Sequence, residues 1–155
     1  MRCDSSKPND VDIQGNPQMT LLFLTPSRVR AGKMKRTRIL LADDDPHMLV
    51  CLNALLQPDF EVVGAVSDGH SLVEATFKLH PDVIVTDISM PKMNGIEAVR
   101  TIRCVLPDIK FIFLTMHDAN GYRREARSVG AAAYVLKSAM EELGDAIHHA
   151  TEGAP

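Results

Sequence analysis

The chain has 155 residues, 45% hydrophobic and 24% charged, which is enough for one globular domain with a real core and too little for two. A net charge of −3 and a pI near 6.0 argue against the broad basic face of a duplex reader, so no direct nucleic-acid binding is expected. Cys3, Cys51 and Cys104 show neither a disulfide framework nor zinc-ligand spacing, which fits a reducing cytoplasm, with Cys51 and Cys104 expected as small core residues.

Residues Met1 to Lys35 contain Pro8, Pro17 and Pro26, polar residues and no sustained periodicity, and read as a poorly ordered extension. Its apolar run Leu21 to Leu24 is stopped by Thr25-Pro26, so neither a signal peptide nor a membrane partner is expected. Met34, just ahead of the first strong strand, is a candidate start of the functional chain.

From Arg38 strands alternate with helices. Ile39 to Ala42 is a short apolar strand, and Asp45-Pro46 starts a helix with Asp as N-cap. Met48, Leu49, Leu52, Leu55 and Leu56 recur at helical spacing, and Pro58-Asp59 closes that helix. Phe60 to Ser67 is β-rich, Asp68-Gly69 reads as a turn, and Leu72, Val73, Ala75, Thr76 and Leu79 give a second amphipathic helix ending before Pro81.

The stretch from Pro81 to Gly95 is the centre of the pattern. Val83 to Val85 reads as a strand buried on both faces, and it runs within two residues into Asp87. An ionised carboxylate needs partners there, which places Asp87 at the open strand end. Pro91, Asn94 and Gly95 lead into a helix with Ile96, Val99, Ile102 and Leu106 on one face. A fourth strand, Phe111 to Leu114, ends at Thr115; Tyr122, Ala126 and Val129 mark a fourth helix that Gly130 terminates. Ala133 to Leu136 is a fifth strand ending at Lys137, before a last helix with Met140, Leu143, Ile147 and Ala150 facing the core. Five such units predict an α/β fold, a parallel sheet with helices on both faces and ligands at the carboxyl ends of the strands.

Those strand ends carry Asp43 and Asp44, Asp87, Thr115 and Lys137. Two like charges ~4 Å apart cost about 4 kcal/mol at an effective dielectric of 20, so three carboxylates in one crevice call for a cation. A hard divalent ion with oxygen ligands, most simply Mg²⁺, answers that need, with Lys137 as a further positive charge and Thr115 as a hydroxyl donor. A carboxylate nucleophile in such surroundings suits phosphoryl transfer to Asp87.

Leu41-Ala42-Asp43-Asp44, Asp87 with Met90-Pro91 and Asn94-Gly95, Leu114-Thr115, and Tyr134 three residues before Lys137 together resemble the receiver domain of two-component response regulators. Asn94-Gly95, Leu114 to Asp118 and Val135 to Ala139 are similar to the NarL/FixJ-like subfamily with LuxR-type output. The resemblance implies a flavodoxin-like (βα)₅ doubly wound five-stranded sheet of order 2-1-3-4-5, with the receiver over residues 36–153; in a departure from the subfamily, no output domain is expected within this chain. It implies Asp87 as phosphoacceptor, Mg²⁺ on Asp44, Asp87 and the backbone carbonyl of Ser89 with Asp43 assisting through water, and Lys137 and Thr115 on the phosphoryl oxygens. Thr115 and Tyr134 would be the switch residues. The implied partners are a sensor histidine kinase or phosphotransfer protein and a second copy meeting through the fourth helix, fifth strand and fifth helix. No enzymatic activity is implied beyond self-catalysed phosphotransfer and autodephosphorylation.

The chain departs from that pattern at Asp45, where the subfamily often has histidine, and at Met116, bulkier than the small residue common there. The six histidines show no metal spacing, although His117, two residues past Thr115, is placed to tune the lifetime of a phosphoryl group. Two rival readings remain: a haloacid-dehalogenase-type phosphatase with Asp43 as nucleophile and Asp45 as its acid, and a receiver-fold interaction module that is not phosphorylated. Against the phosphatase, Pro46-His47 follows Asp45, and no acidic pair follows Lys137 in a further strand.

Overall fold

The computed structural model describes residues 35–116 and 118–153; the expected extension up to Met34, that candidate start and His117 lie outside them. Five strands alternate with five helices: β1 (Arg38–Ala42), α1 (Pro46–Leu56), β2 (Glu61–Val66), α2 (Gly69–Leu79), β3 (Val83–Thr86), α3 (Gly95–Val105), β4 (Lys110–Thr115), α4 (Asn120–Ser128), β5 (Ala133–Leu136) and α5 (Leu143–Glu152). All neighbouring strands are parallel, in the order β2-β1-β3-β4-β5, which is the expected 2-1-3-4-5.

Side-chain alternation along the strands divides the core in two. Leu40, Ala42, Ile84, Phe111 and Phe113 point to the face covered by Leu72 of α2, by Ile96, Val99 and Ile102 of α3, and by Ala126 of α4. Ile39, Leu41, Val83, Val85, Ile112 and Leu114 point the other way, against Leu52 and Leu56 of α1 and Leu143 and Ile147 of α5. All four β3 residues are buried, as a strand covered on both faces requires.

The local signals that set the elements behave as their chemistry dictates. The Asp45 carboxylate accepts from the His47 amide and Pro46 opens α1, while Asn94 caps α3 by accepting from the Glu97 amide. Gly130 ends the α4 segment at φ +81, in the left-handed region. No helix among the described residues is long and apolar enough to cross a membrane.

Four expectations need correction. Cys51 and Cys104 are exposed. Each sits one or two residues from a core position, Leu52 or Ile102, and at 100° per residue that turns the thiol off the buried stripe. Leu55 is likewise 39% exposed, because α1 carries more apolar residues than its one sheet-facing stripe can bury. Asp68-Gly69 is a helix start: Asp68 accepts from the Ser71 amide and Gly69 is the first residue of α2. Met140 packs on the core from a 3₁₀ segment, Lys137–Glu142, which kinks at Ala139 before α5 begins.

Candidate functional site

Parallel register brings the strand ends together. Ala42 pairs with Thr86, so Asp43 and Asp87, each one residue further, leave the sheet side by side. The ladder continues past both strands, the Asp43 amide donating to the Val66 carbonyl at 3.1 Å and the Asp87 amide to the Ala42 carbonyl at 2.9 Å. Thr115 pairs with Leu136, which sets Lys137 one residue beyond it.

These side chains converge. The Lys137 ammonium lies 2.6 Å from one Asp43 oxygen and 3.0 Å from one Asp87 oxygen, with all three side chains less than a tenth exposed. The remaining Asp43 oxygen accepts from the Asp45 amide at 2.9 Å, and that of Asp87 from the Ile88 amide at 2.7 Å. Carboxylate oxygens of Asp43, Asp44 and Asp87 all lie within 4.8 Å of one another. Asp43 and Asp87 are buried and Asp44 is exposed, so the cluster faces solvent on one side.

Burial pushes the Asp43 carboxyl above its ordinary range, and the hydrogen bonds from Lys137 and the Asp45 amide offset this only in part. Burial also pulls the Lys137 ammonium down, but hydrogen bonds to Asp43 and Asp87 and the charges of both outweigh it and hold Lys137 above its usual value. Lys137 is therefore a cation at neutral pH. Three carboxylates against one ammonium fit a divalent cation, and an all-oxygen donor set with an open side fits a hard ion such as Mg²⁺.

Ser89 is exposed and lines a groove with Asp44, Met90, Pro91, Asn94 and, from α4, Tyr122. The loop that carries Ser89 is held where it closes, the Gly95 amide donating to the Ile88 carbonyl at 2.9 Å. Thr115 is fully buried at the end of β4, and Met116 turns outward with 74% of its surface exposed, away from that packed strand end. Tyr134 lies in β5 opposite Phe113 and packs on the α2–α4 side of the core. Burial raises its phenol pKa, with Arg123 partly countering.

Some participants escaped the sequence reading. The Arg123 guanidinium stands 4.7 Å from the Tyr134 ring centroid and pairs with Asp118 at 2.7 Å, joining a helix to a strand with no local spacing to reveal it. Asp68 pairs with Lys92 across two loops at 3.6 Å. Glu97 accepts from the Asn94 amide group at 3.2 Å, a mutual cap that the Asn-x-x-Glu spacing does announce.

A profile of the response regulator receiver domain matches residues 39–148, and the chain belongs to that family. It is 41% identical over 121 residues to the transcriptional regulatory protein LiaR of Bacillus subtilis, covering 76% of this chain and 57% of LiaR. It is 38% identical over 121 residues to the uncharacterized transcriptional regulatory protein YxjL of the same organism, covering 76% of this chain and 56% of YxjL. The chain thus spans just over half the length of these curated relatives. A crystal structure of a LuxR-family DNA-binding response regulator from Staphylococcus aureus is similar at a TM-score of 0.70 and 30% identity, over 74% of this chain and 98% of that one. The fold is the flavodoxin-like receiver fold, shared with that LuxR-family regulator.

Proposed function

We propose that Asp87 accepts a phosphoryl group from the phosphohistidine of a sensor kinase or phosphotransfer protein. An Asp87 carboxylate oxygen attacks phosphorus, the phosphorus–nitrogen bond breaks, and the imidazole leaves. The resulting acyl phosphate is later hydrolysed by water, which releases inorganic phosphate and restores the carboxylate. Asp43, Asp44, Asp87 and the Ser89 carbonyl would hold Mg²⁺, which supplies charge neutralisation for the transferring group. Lys137 and the Thr115 hydroxyl bind the phosphoryl oxygens.

The observation that carries this reading is the placement of Asp87, held by its neighbour's amide and by the Lys137 ammonium within one cluster of three carboxylates. The phosphatase alternative is set aside with the family membership, and its proposed acid, Asp45, caps α1. The acyl phosphate adds a charge of about −1.5 to −2, which draws Thr115 and Lys137 toward it and biases the face of α4, β5 and α5 that Tyr134 borders. Full switching requires about 5.5 kcal/mol of differential stabilisation; weaker coupling gives a graded response. That face would act on a second copy of the chain or on an output partner.

The test is incubation with acetyl phosphate and Mg²⁺ followed by intact mass spectrometry. One acid-stable, base-labile phosphoryl adduct is expected, absent with EDTA and absent in Asp87→Asn. Undiminished phosphorylation of Asp87→Asn would overturn the assignment.

A further inference from the structure

The loop between β3 and α3 carries Ser89, and its middle is tied to the start of α2. Lys92, at φ +70, holds a left-handed backbone that residues with a side chain seldom adopt. Its ammonium reaches the Asp68 carboxylate at 3.6 Å. Asp68 is itself fixed: one oxygen accepts from the Ser71 amide at 2.8 Å and the other from the Ser71 hydroxyl at 3.1 Å. Directly beside it, Gly69 lies under the loop so closely that a Cβ there would stand 2.1 Å from the Met93 carbonyl oxygen. At the loop's far end the Gly95 amide donates to the Ile88 carbonyl at 2.9 Å. The segment from Ile88 to Gly95 is thus closed at its base and pressed at its middle onto one rigid helix terminus.

We propose that Lys92, Asp68 and Gly69 form a clamp that positions the Ser89 carbonyl, and so sets how tightly the acidic cluster takes Mg²⁺. The proposal rests on the metal-binding reading given above. None of the three touches the cluster; they act through the loop and are positioning residues. Lys92 follows directly on Pro91, which lines the groove together with Ser89, and an unclamped loop would have to be ordered at the moment of binding, which weakens affinity. The Lys92 side chain is two-thirds exposed, so the ion pair's share of the effect is small and screened by salt. The close approach at Gly69 carries the rest.

The test compares wild type with Lys92→Met, Lys92→Arg and Gly69→Ala by isothermal titration with Mg²⁺, and by hydrogen exchange of the Met93 and Gly95 amides in EDTA. Lys92→Met is expected to weaken Mg²⁺ binding about two- to fivefold at low salt, with the difference vanishing near 1 M KCl. Lys92→Arg should remain within about twofold of wild type, since it keeps the charge. Gly69→Ala should weaken binding further and speed exchange at both amides, without salt dependence. The maximal phosphorylation rate at saturating Mg²⁺ should be unchanged in Lys92→Met. Wild-type affinity and exchange in both Lys92→Met and Gly69→Ala would overturn the clamp alone. Failure of the wild-type chain to bind Mg²⁺ would overturn the metal-binding reading, and the clamp with it.

Discussion

Lys137 donates to Asp43 and Asp87 at once, so removing its ammonium leaves two neighbouring buried carboxylates facing each other. Lys137→Met is expected to cost about 1.5–3 kcal/mol in urea denaturation with EDTA present, the scale of a lost charged hydrogen bond. Added Mg²⁺ should return part of that, because binding to the folded state alone stabilises it. Asp68 gives a pH signature of opposite origin. Hydrogen bonding to the Ser71 amide, with Lys92 nearby, lowers its carboxyl below the ordinary 3.8. A lowered folded value means that the unfolded chain takes up the proton first as pH falls. The stabilisation is therefore complete above pH 3.8 and is lost as pH drops through the folded value. Denaturant midpoints measured below pH 4.5 should fall less steeply in Asp68→Asn than in wild type. The charged groups at the strand ends were legible because residue type and strand end coincide at Asp43, Asp87 and Lys137. Asp68 was not, since an acid followed by glycine serves a turn and a helix cap equally well, and the cap is settled by the Ser71 amide that donates to it and the Lys92 that approaches from another loop.

The elements hold to their boundaries through caps more than through propensity. Asn94 satisfies the Glu97 amide of α3 and donates back to its carboxylate, so Asn94→Ala should cost about 1 kcal/mol by thermal or denaturant unfolding. The loop that follows Asp87 ends at that same cap, so a matching loss of protection at the Gly95 amide is expected. The central strands were legible as apolar runs because a strand covered on both faces is hydrophobic, as β3 is throughout, whereas the half-exposed edge strand β2 was legible from its β-favouring residues. Helix faces were less legible. In α1 the residues Val50, Cys51 and Leu55 extend the apolar pattern beyond the face that Leu52 and Leu56 bury, and composition alone does not say where the sheet ends. The 3₁₀ segment at Lys137–Glu142 was folded into the last helix because Met140 and Leu143 recur at a spacing common to both helix types.

At a larger scale, the described residues form two core clusters, one on each face of the sheet, and the parallel register of the sheet brings the acids to one end of it. That topology was legible from the alternation of elements and the resemblance together. What could not be read is which side chains cross between elements, as Arg123 does to Tyr134. One consequence concerns folding quality control. Asp43, Asp87 and Lys137 follow β1, β3 and β5, so the site has no existence in a chain that has not assembled the sheet from β1 through to β5. Capacity to take a phosphoryl group from acetyl phosphate should then vanish along a urea titration at the same midpoint as far-UV circular dichroism, as a two-state domain requires. If the proposed phosphoryl chemistry holds, a nascent or damaged chain is silent by construction, since the group that would receive the signal is complete only once the last strand is in place.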